Sequence, residues 1–233
     1  MSPVTRAASG EKRPRPQLSQ PVIIAAAIEL VERDGPGALT LRRLGVALGA
    51  DHTAVLRHFS GKDELELAMV NRLLEEALAG FRPSAHWRPT LEDLARRFRA
   101  AYRRHPGVAR FSSARASFRP AEVEAAEIIV AALLAAGCSA QRAADTYRAL
   151  ANAALALSAY DAAAADQGGD GSEELLRLRD AAGAAPETLP ALNRVAEHLP
   201  GAVRADPFET VLGLLLDGLA AQLPEASSGE RRG

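Results

Sequence analysis

The residues whose types and spacing could do chemistry lie between Thr40 and Lys62 of this 233-residue chain. Thr40-Leu41-Arg42-Arg43-Leu44-Gly45-Val46-Ala47-Leu48 reads as one short helix. Gly49-Ala50 is a tight turn, and Asp51 caps a second short helix that runs through about His58. Two short helices on a glycine turn have helix-turn-helix geometry. Val55 and Phe59 point inward, which leaves His52, Thr53, Ala54, Arg57 and His58 on the other side. Small side chains let such a helix approach base edges, and Arg or His donates to guanine or phosphate. Charge agrees: residues 1–62 carry a formal +4 and the remainder −5. The whole chain sits at −1, so any nucleic-acid footprint must be local.

Other chemistries find no support. There is no phosphate-binding Gly-Lys loop, zinc-protease helix or nucleophile elbow. The Gly168-Gly169 loop has no strand before it, so a dinucleotide site fails. His52, His58, His86, His105 and His198 show no metal-ligand spacing. The single cysteine, Cys138, allows no intrachain disulfide; a small core residue and a redox sensor both remain open for it. No enzyme, metal or cofactor is expected. No stretch approaches 18 apolar residues and Met1 to Gln20 lacks a signal-peptide block, so a cytoplasmic protein without membrane contact is expected.

The elements that must position the Thr40–Lys62 unit are all helical. The chain holds 50 alanines, the best helix former but one that buries little area, and only 4% aromatics. Closely packed helices follow, and no strand pattern appears. Ser19 and Pro21 start a helix with Ile23, Ala27, Leu30 and Val31 at helical spacing, ended by Gly35-Pro36. Ser60-Gly61-Lys62-Asp63 approximates a capping box, with Asp where Glu or Gln is usual, ahead of a helix to about Ala79. Pro83, Trp87 and Pro89 mark a boundary, with Trp87 as a linker anchor between the two parts. Thr90 opens the next helix, Leu91 to about Arg104, which His105-Pro106-Gly107 stops. A short segment, Val108 to Ser117, leads to a helix from Pro120 to Ala136. Others run from Ser139 as far as Ala165, Ser172 to Ala182, Leu189 to Leu199, and Pro207 to Leu223, with a loop at Gln167 to Gly171.

The last helix is apolar on much of its circumference. Phe208, Val211, Leu212, Leu215 and Leu219 make one stripe, and Leu214 and Leu216 widen it. Such a helix packs on more than one side. A second copy of the chain supplies the second surface, the alternative being a helix buried within a monomer.

The stretch from Ser19 to about Leu74 resembles the TetR family of transcriptional regulators. The resemblance rests on Asp34-Gly35, Leu39 to Leu44, Leu48-Gly49, His58-Phe59 and Lys62-Asp63-Glu64-Leu65 in that order and spacing. It implies an all-α chain: a flexible basic arm over 1–18, a three-helix DNA-binding domain over 19–66, a helical regulatory and dimerisation domain over 67–223, and a disordered tail over 224–233. The arm is either solvated or reaches into a minor groove. Carried over residue by residue, the resemblance puts Thr40, Leu41 and Arg42 where the family contacts phosphates and sometimes a base. His52, Thr53 and Ala54 take the base-reading positions, and His58 and Lys62 the phosphate-contacting ones. Leu56 stands where the family usually has a tyrosine whose hydroxyl bonds a phosphate. Leucine instead packs on a sugar or thymine methyl, and Arg57 is a candidate replacement for the lost contact.

The same resemblance implies a homodimer on a double-stranded DNA operator, acting as a repressor that an unknown small-molecule effector releases. Phe98, Tyr102, Phe111, Phe118 and Tyr147 are the candidate pocket residues, and the Phe208 to Leu219 stripe is the candidate dimer interface. The competing readings are an all-α ligand-binding protein and a regulator without an effector.

Overall fold

A computed structural model describes residues 18–111, 118–167, 172–202 and 206–223. The expected arm over 1–18, except Leu18, the tail over 224–233, the glycine loop at 168–171 and the end of the Val108 to Ser117 segment lie outside the described residues. Among the described residues every regular element is a helix and there is no strand. None of these helices is long and apolar enough to cross a membrane.

Local chemistry sets the order of elements. Helix α1 (Gln20–Asp34) begins after Ser19, which is extended, with Pro21 in the first turn; the Ser19 side chain makes no capping bond. Gly35 ends it at φ 81°, where its N–H donates to the Val31 carbonyl at 2.8 Å. That left-handed conformation favours glycine. Helices α2 (Leu41–Ala47) and α3 (His52–Leu56) form the two-helix unit. Helix α4 (Lys62–Leu78) follows, and the box before it is shifted by one residue from expectation. Glu64, not Asp63, reaches back, and its carboxylate accepts from both the backbone N–H and the hydroxyl of Ser60, at 2.6 and 2.8 Å. Glu64 is the third helical residue, the position from which a carboxylate reaches back over the first turn.

Helix α5 (Trp87–Arg104) starts four residues before the expected Leu91. Pro89 lies in the first turn, where a missing N–H leaves no bond unmade. Thr90 is therefore inside the helix. Its buried hydroxyl donates to the His86 carbonyl at 2.9 Å and accepts from Ser84 N–H at 2.9 Å. Trp87 is accordingly not a linker: it lies in α5 and packs against the apolar cluster that holds Leu91, Leu133 and Phe208. His105 ends α5 as expected and begins α6 (Pro106–Ala109). Then come α7 (Pro120–Ala135), α8 (Ala140–Gln167), α9 (Ser172–Ala184), α10 (Pro190–Val195), α11 (Leu199–Ala202) and α12 (Pro207–Ala220). The segment expected as one helix over 189–199 is thus two short ones.

Two apolar clusters hold the helices. The first joins Ile23 and Val31 of α1, Leu44 of α2 and Val55 of α3 to Leu65, Met69 and Leu73 of α4, and on to Tyr102 and Val108. The second joins Leu91 and Leu133 to Phe208, Leu212 and Leu216. The division expected at 66/67 falls inside α4, with Leu65 and Ala68 on either side of it in the same cluster. The apolar stripe of α4 thus continues across the expected division.

A further joint links α1 to α6. The Glu32 carboxylate accepts from the N–H groups of Gly107 (3.2 Å) and Val108 (3.0 Å), which α6 leaves unpaired at its start. Gly107 has no room for a side chain, since a Cβ there would meet Val31 Cγ1 at 2.9 Å.

Arg99 pins α12 to the rest. Its side chain is 12% exposed and bonds Asp161 of α8 at 2.8 Å and Asp206, the N-cap of α12, at 2.5 Å. Its guanidinium also lies 4.5 Å from the centre of the Phe208 ring. The hydrogen bond from Arg99 holds the Asp206 carboxyl below the usual carboxylate range, and Arg96 does the same for Glu209. A lowered carboxyl pKa stabilises the fold above the ordinary value near 4, and this is lost as pH falls through the lowered value. Arg99→Ala is expected to destabilise the chain by about 1–2 kcal/mol at neutral pH, the partial exposure of Asp206 keeping it at that level. Thermal melts of wild type and variant should converge as pH drops from about 4 towards 2.

Candidate functional site

Each short helix of the two-helix unit is capped by its own side chain. The Thr40 hydroxyl accepts from Arg43 N–H at 3.2 Å and starts α2. Asp51 Oδ1 accepts from Thr53 N–H at 2.8 Å and starts α3. That backbone bond keeps the Asp51 carboxyl below its usual range. Between them Gly49 takes φ 60°, and Ala50 N–H donates to the Gly45 carbonyl at 2.9 Å. Gly45 is buried where α3 crosses α2. A Cβ on it would stand 2.9 Å from the Ala50 carbonyl oxygen and 3.1 Å from His52 N. Both neighbours are backbone and cannot swing away. Gly45→Ala is expected to lower stability by about 1–2 kcal/mol in urea unfolding, overpacking outweighing the gain in helix propensity.

Val55 and Phe59 are buried and fix the inner side of α3. His52, Thr53, Leu56 and Arg57 are exposed, and Ala54 and His58 are half-buried. Thr40, Arg42 and Lys62 are exposed, and Leu41 is half-buried. Lys62 Nζ lies 3.4 Å from Glu66, and His52 Nδ1 lies 3.3 Å from Asp51. Leu56, at 44% exposure, presents an apolar surface among these polar groups.

The two neighbouring arginines of α2 have different roles. Arg43 is held by Asp34 at 2.6 Å, which ties α2 to the end of α1. Among the described residues neither Arg42 nor Arg57 has an ion-pair partner, so both cations are available. One further tie lies outside the sequence motif. Gln20 Nε2 donates to the His58 carbonyl at 2.9 Å and fixes the end of α3 on the start of α1. Residues 20 and 58 are 38 apart, and only the shared Ile23–Phe59 core pattern hints that they meet.

A cavity of about 170 Å³ lies between α4, α5, α7, α8 and α12. Of the five pocket candidates, Phe98, Tyr102, Phe111 and Tyr147 line it. Phe118 does not: it is 82% exposed and sits at φ 51°, ahead of α7, where its N–H donates to Glu122 at 2.9 Å. The left-handed backbone turns its ring outward. Leu67, Val70 and Leu74 of α4 form one wall, so the helix that leaves the two-helix unit is also part of the cavity.

The stripe on α12 divides. Phe208, Leu212 and Leu219 are buried in the chain's own second cluster and are not free for a partner. They share the side of the helix that holds Leu216. Leu214 is 69% exposed and Leu215 36%, with Val211 half-buried and Gly218 exposed beside them. A groove runs there between α12 and Asp145, Thr146 and Ala149 of α8.

A capped helix-turn-helix head on a long helix that enters an all-helical, cavity-bearing body defines the class of one-chain helical regulators. The chain belongs to the TetR family: residues 23–69 match the family model for bacterial regulatory proteins of the tetR family, and residues 81–223 match the tetracyclin repressor-like C-terminal domain. An HTH-type transcriptional regulator of Saccharopolyspora erythraea is 31% identical over 127 residues, 54% of each chain. The match thus spans about half the length of that curated relative. A possible TetR family regulator from Streptomyces coelicolor is 30% identical with a TM-score of 0.71, covering 87% of this chain and 99% of that one. ActR from Streptomyces coelicolor, solved with actinorhodin, has a TM-score of 0.77 at 22% identity, covering 91% and 100%; at that identity it shares the fold.

Proposed function

We propose that this chain is a sequence-specific, homodimeric transcriptional repressor that leaves its operator when a small molecule fills the cavity. The observation that carries this reading is the free, outward side of α3. His52, Thr53 and Arg57 stand on a helix fixed at both ends, by the Asp51 cap and by the Gln20 bond. Its Arg57 and the neighbouring Arg42 have no competing carboxylate among the described residues. Such cations donate to base edges or phosphates. No catalytic role is part of this reading, and among the described residues no three His, Cys, Asp or Glu come together as a metal site.

The second copy belongs on the α8–α12 face, where Leu214 and Leu215 leave apolar surface in water. A two-fold arrangement there presents two heads, which must sit roughly 34–36 Å apart or a multiple of this to read a palindrome. Because α4 forms part of both the head core and the cavity wall, a ligand that binds one head spacing better shifts the pair towards it.

The test is an anisotropy titration with the intergenic DNA flanking the gene, at about physiological salt. Tight binding competed by specific but not bulk DNA supports the reading. Salt-sensitive binding without sequence preference, or none, overturns it and leaves a helical ligand-binding protein. Within the same assay, Arg57→Ala is expected to weaken operator binding by about 1–3 kcal/mol. A base contact would relax specificity at one position, whereas a phosphate contact would weaken all sequences alike and reduce the salt slope.

A further inference from the structure

We infer that the cavity takes an uncharged, mainly apolar molecule of one or two rings. This rests on the reading of the chain as a ligand-responsive regulator and specifies the ligand's chemical class. The walls decide charge. Among the described lining residues the polar side chains are Tyr102, Tyr147 and Glu122, and none is Lys, Arg or His. Arg99 stands behind the wall beside the ring of Phe208, and it is already shared by Asp161 and Asp206. Among the described lining residues an anion entering the cavity would meet no positive charge. The one acidic group, Glu122, lies in the first turn of α7 and accepts the Phe118 N–H at 2.9 Å. Its negative charge is favoured there by that N–H and by the helix N-terminus. Moving an isolated charge into apolar surroundings is unfavourable, and an uncharged ligand avoids this.

Volume decides size. An apolar cavity of about 150 Å³ holds benzene, and the space here is about 170 Å³. A single or fused pair of rings fits with small adjustments of Leu67, Val70 and Phe98. The hydroxyl of Tyr147 can serve one hydroxyl or carbonyl on the ligand.

The test uses the full chain and three probes of matched shape: 1-naphthalenemethanol, 1-naphthoate and 1-naphthylmethylammonium. Binding is read by calorimetry and by thermal shift, with operator affinity measured on the same preparation. The neutral probe should bind at least tenfold tighter than either ion. Ala151→Phe, which places a ring in the cavity, should abolish that binding while the circular dichroism spectrum is retained; Ala126→Phe serves the same purpose from α7 if the first variant does not fold. Equal or tighter binding of the naphthoate overturns the inference. Tightest binding of the ammonium, lost in Glu122→Gln, overturns it in favour of an amine ligand. Binding of none of the three, with operator affinity intact, overturns the ligand class and leaves the DNA-binding reading standing. Absence of operator binding by the unmodified chain overturns that reading, whatever the probes do.

Discussion

Leu214→Glu is expected to leave the isolated chain folded and to break the proposed dimer. In one copy the side chain is 69% exposed, so the change should alter protomer stability by no more than about 0.5 kcal/mol. In a two-fold interface every substitution occurs twice, and here two carboxylates would be brought together in a desolvated apolar contact. A loss of about 3–6 kcal/mol follows, which is roughly a hundredfold to ten-thousandfold in the dimer dissociation constant. Sedimentation velocity at micromolar protein should show a monomer, and operator affinity should fall with it because one head reads only half a palindrome. Unchanged sedimentation would mean that this face is not where the copies meet. Leu216→Glu is the control: Leu216 is buried in the second cluster, so its substitution should unfold the chain instead.

Leu73→Ala should be strongly destabilising. Leu73 is fully buried in the cluster that joins the head to Tyr102 and Val108. Deleting buried methyl groups removes transfer free energy and leaves a void, together about 2–5 kcal/mol. For a chain of this length each kcal/mol lowers the midpoint by about 2–4 °C. A drop of roughly 4–20 °C is therefore expected by circular dichroism. A fall of less than 1 kcal/mol would show that the neighbouring side chains collapse into the space.

The two-helix unit was legible because its signals are local. Thr40, Gly49 and Asp51 act on amides within three residues of themselves, and those bonds are present in the structure. The partners of Arg43 and Gln20 were not legible, since each bond spans a turn and a second helix. The same limit explains Phe118. An aromatic residue reads as core by type, but one backbone angle of +51° sends its ring to solvent. On α12 the apolar period was visible, but a period cannot separate residues that face the chain's own core from those that face outside it. Tertiary contacts such as those of Arg99 with Asp206 and Phe208 seat the helix with Leu212 inside and Leu214 outside. Trp87 and Pro89 misled for a related reason: proline stops a helix in its interior and is tolerated in its first turn, and spacing alone does not say which applies.

The Glu32 bonds to α6 bear on modularity. Helix-turn-helix heads invite exchange, in which one reader is grafted onto another sensor. A graft cut at residue 66 would carry Glu32 away from the amides of Gly107 and Val108. It would also leave Leu65 facing a foreign helix. Both sides of the seam would have to be transplanted: α1 with the first turn of α6, and the whole of α4. In this chain the smallest exchangeable reader is therefore discontinuous in sequence, and chimeras built on a linear boundary should be made of parts that no longer fit.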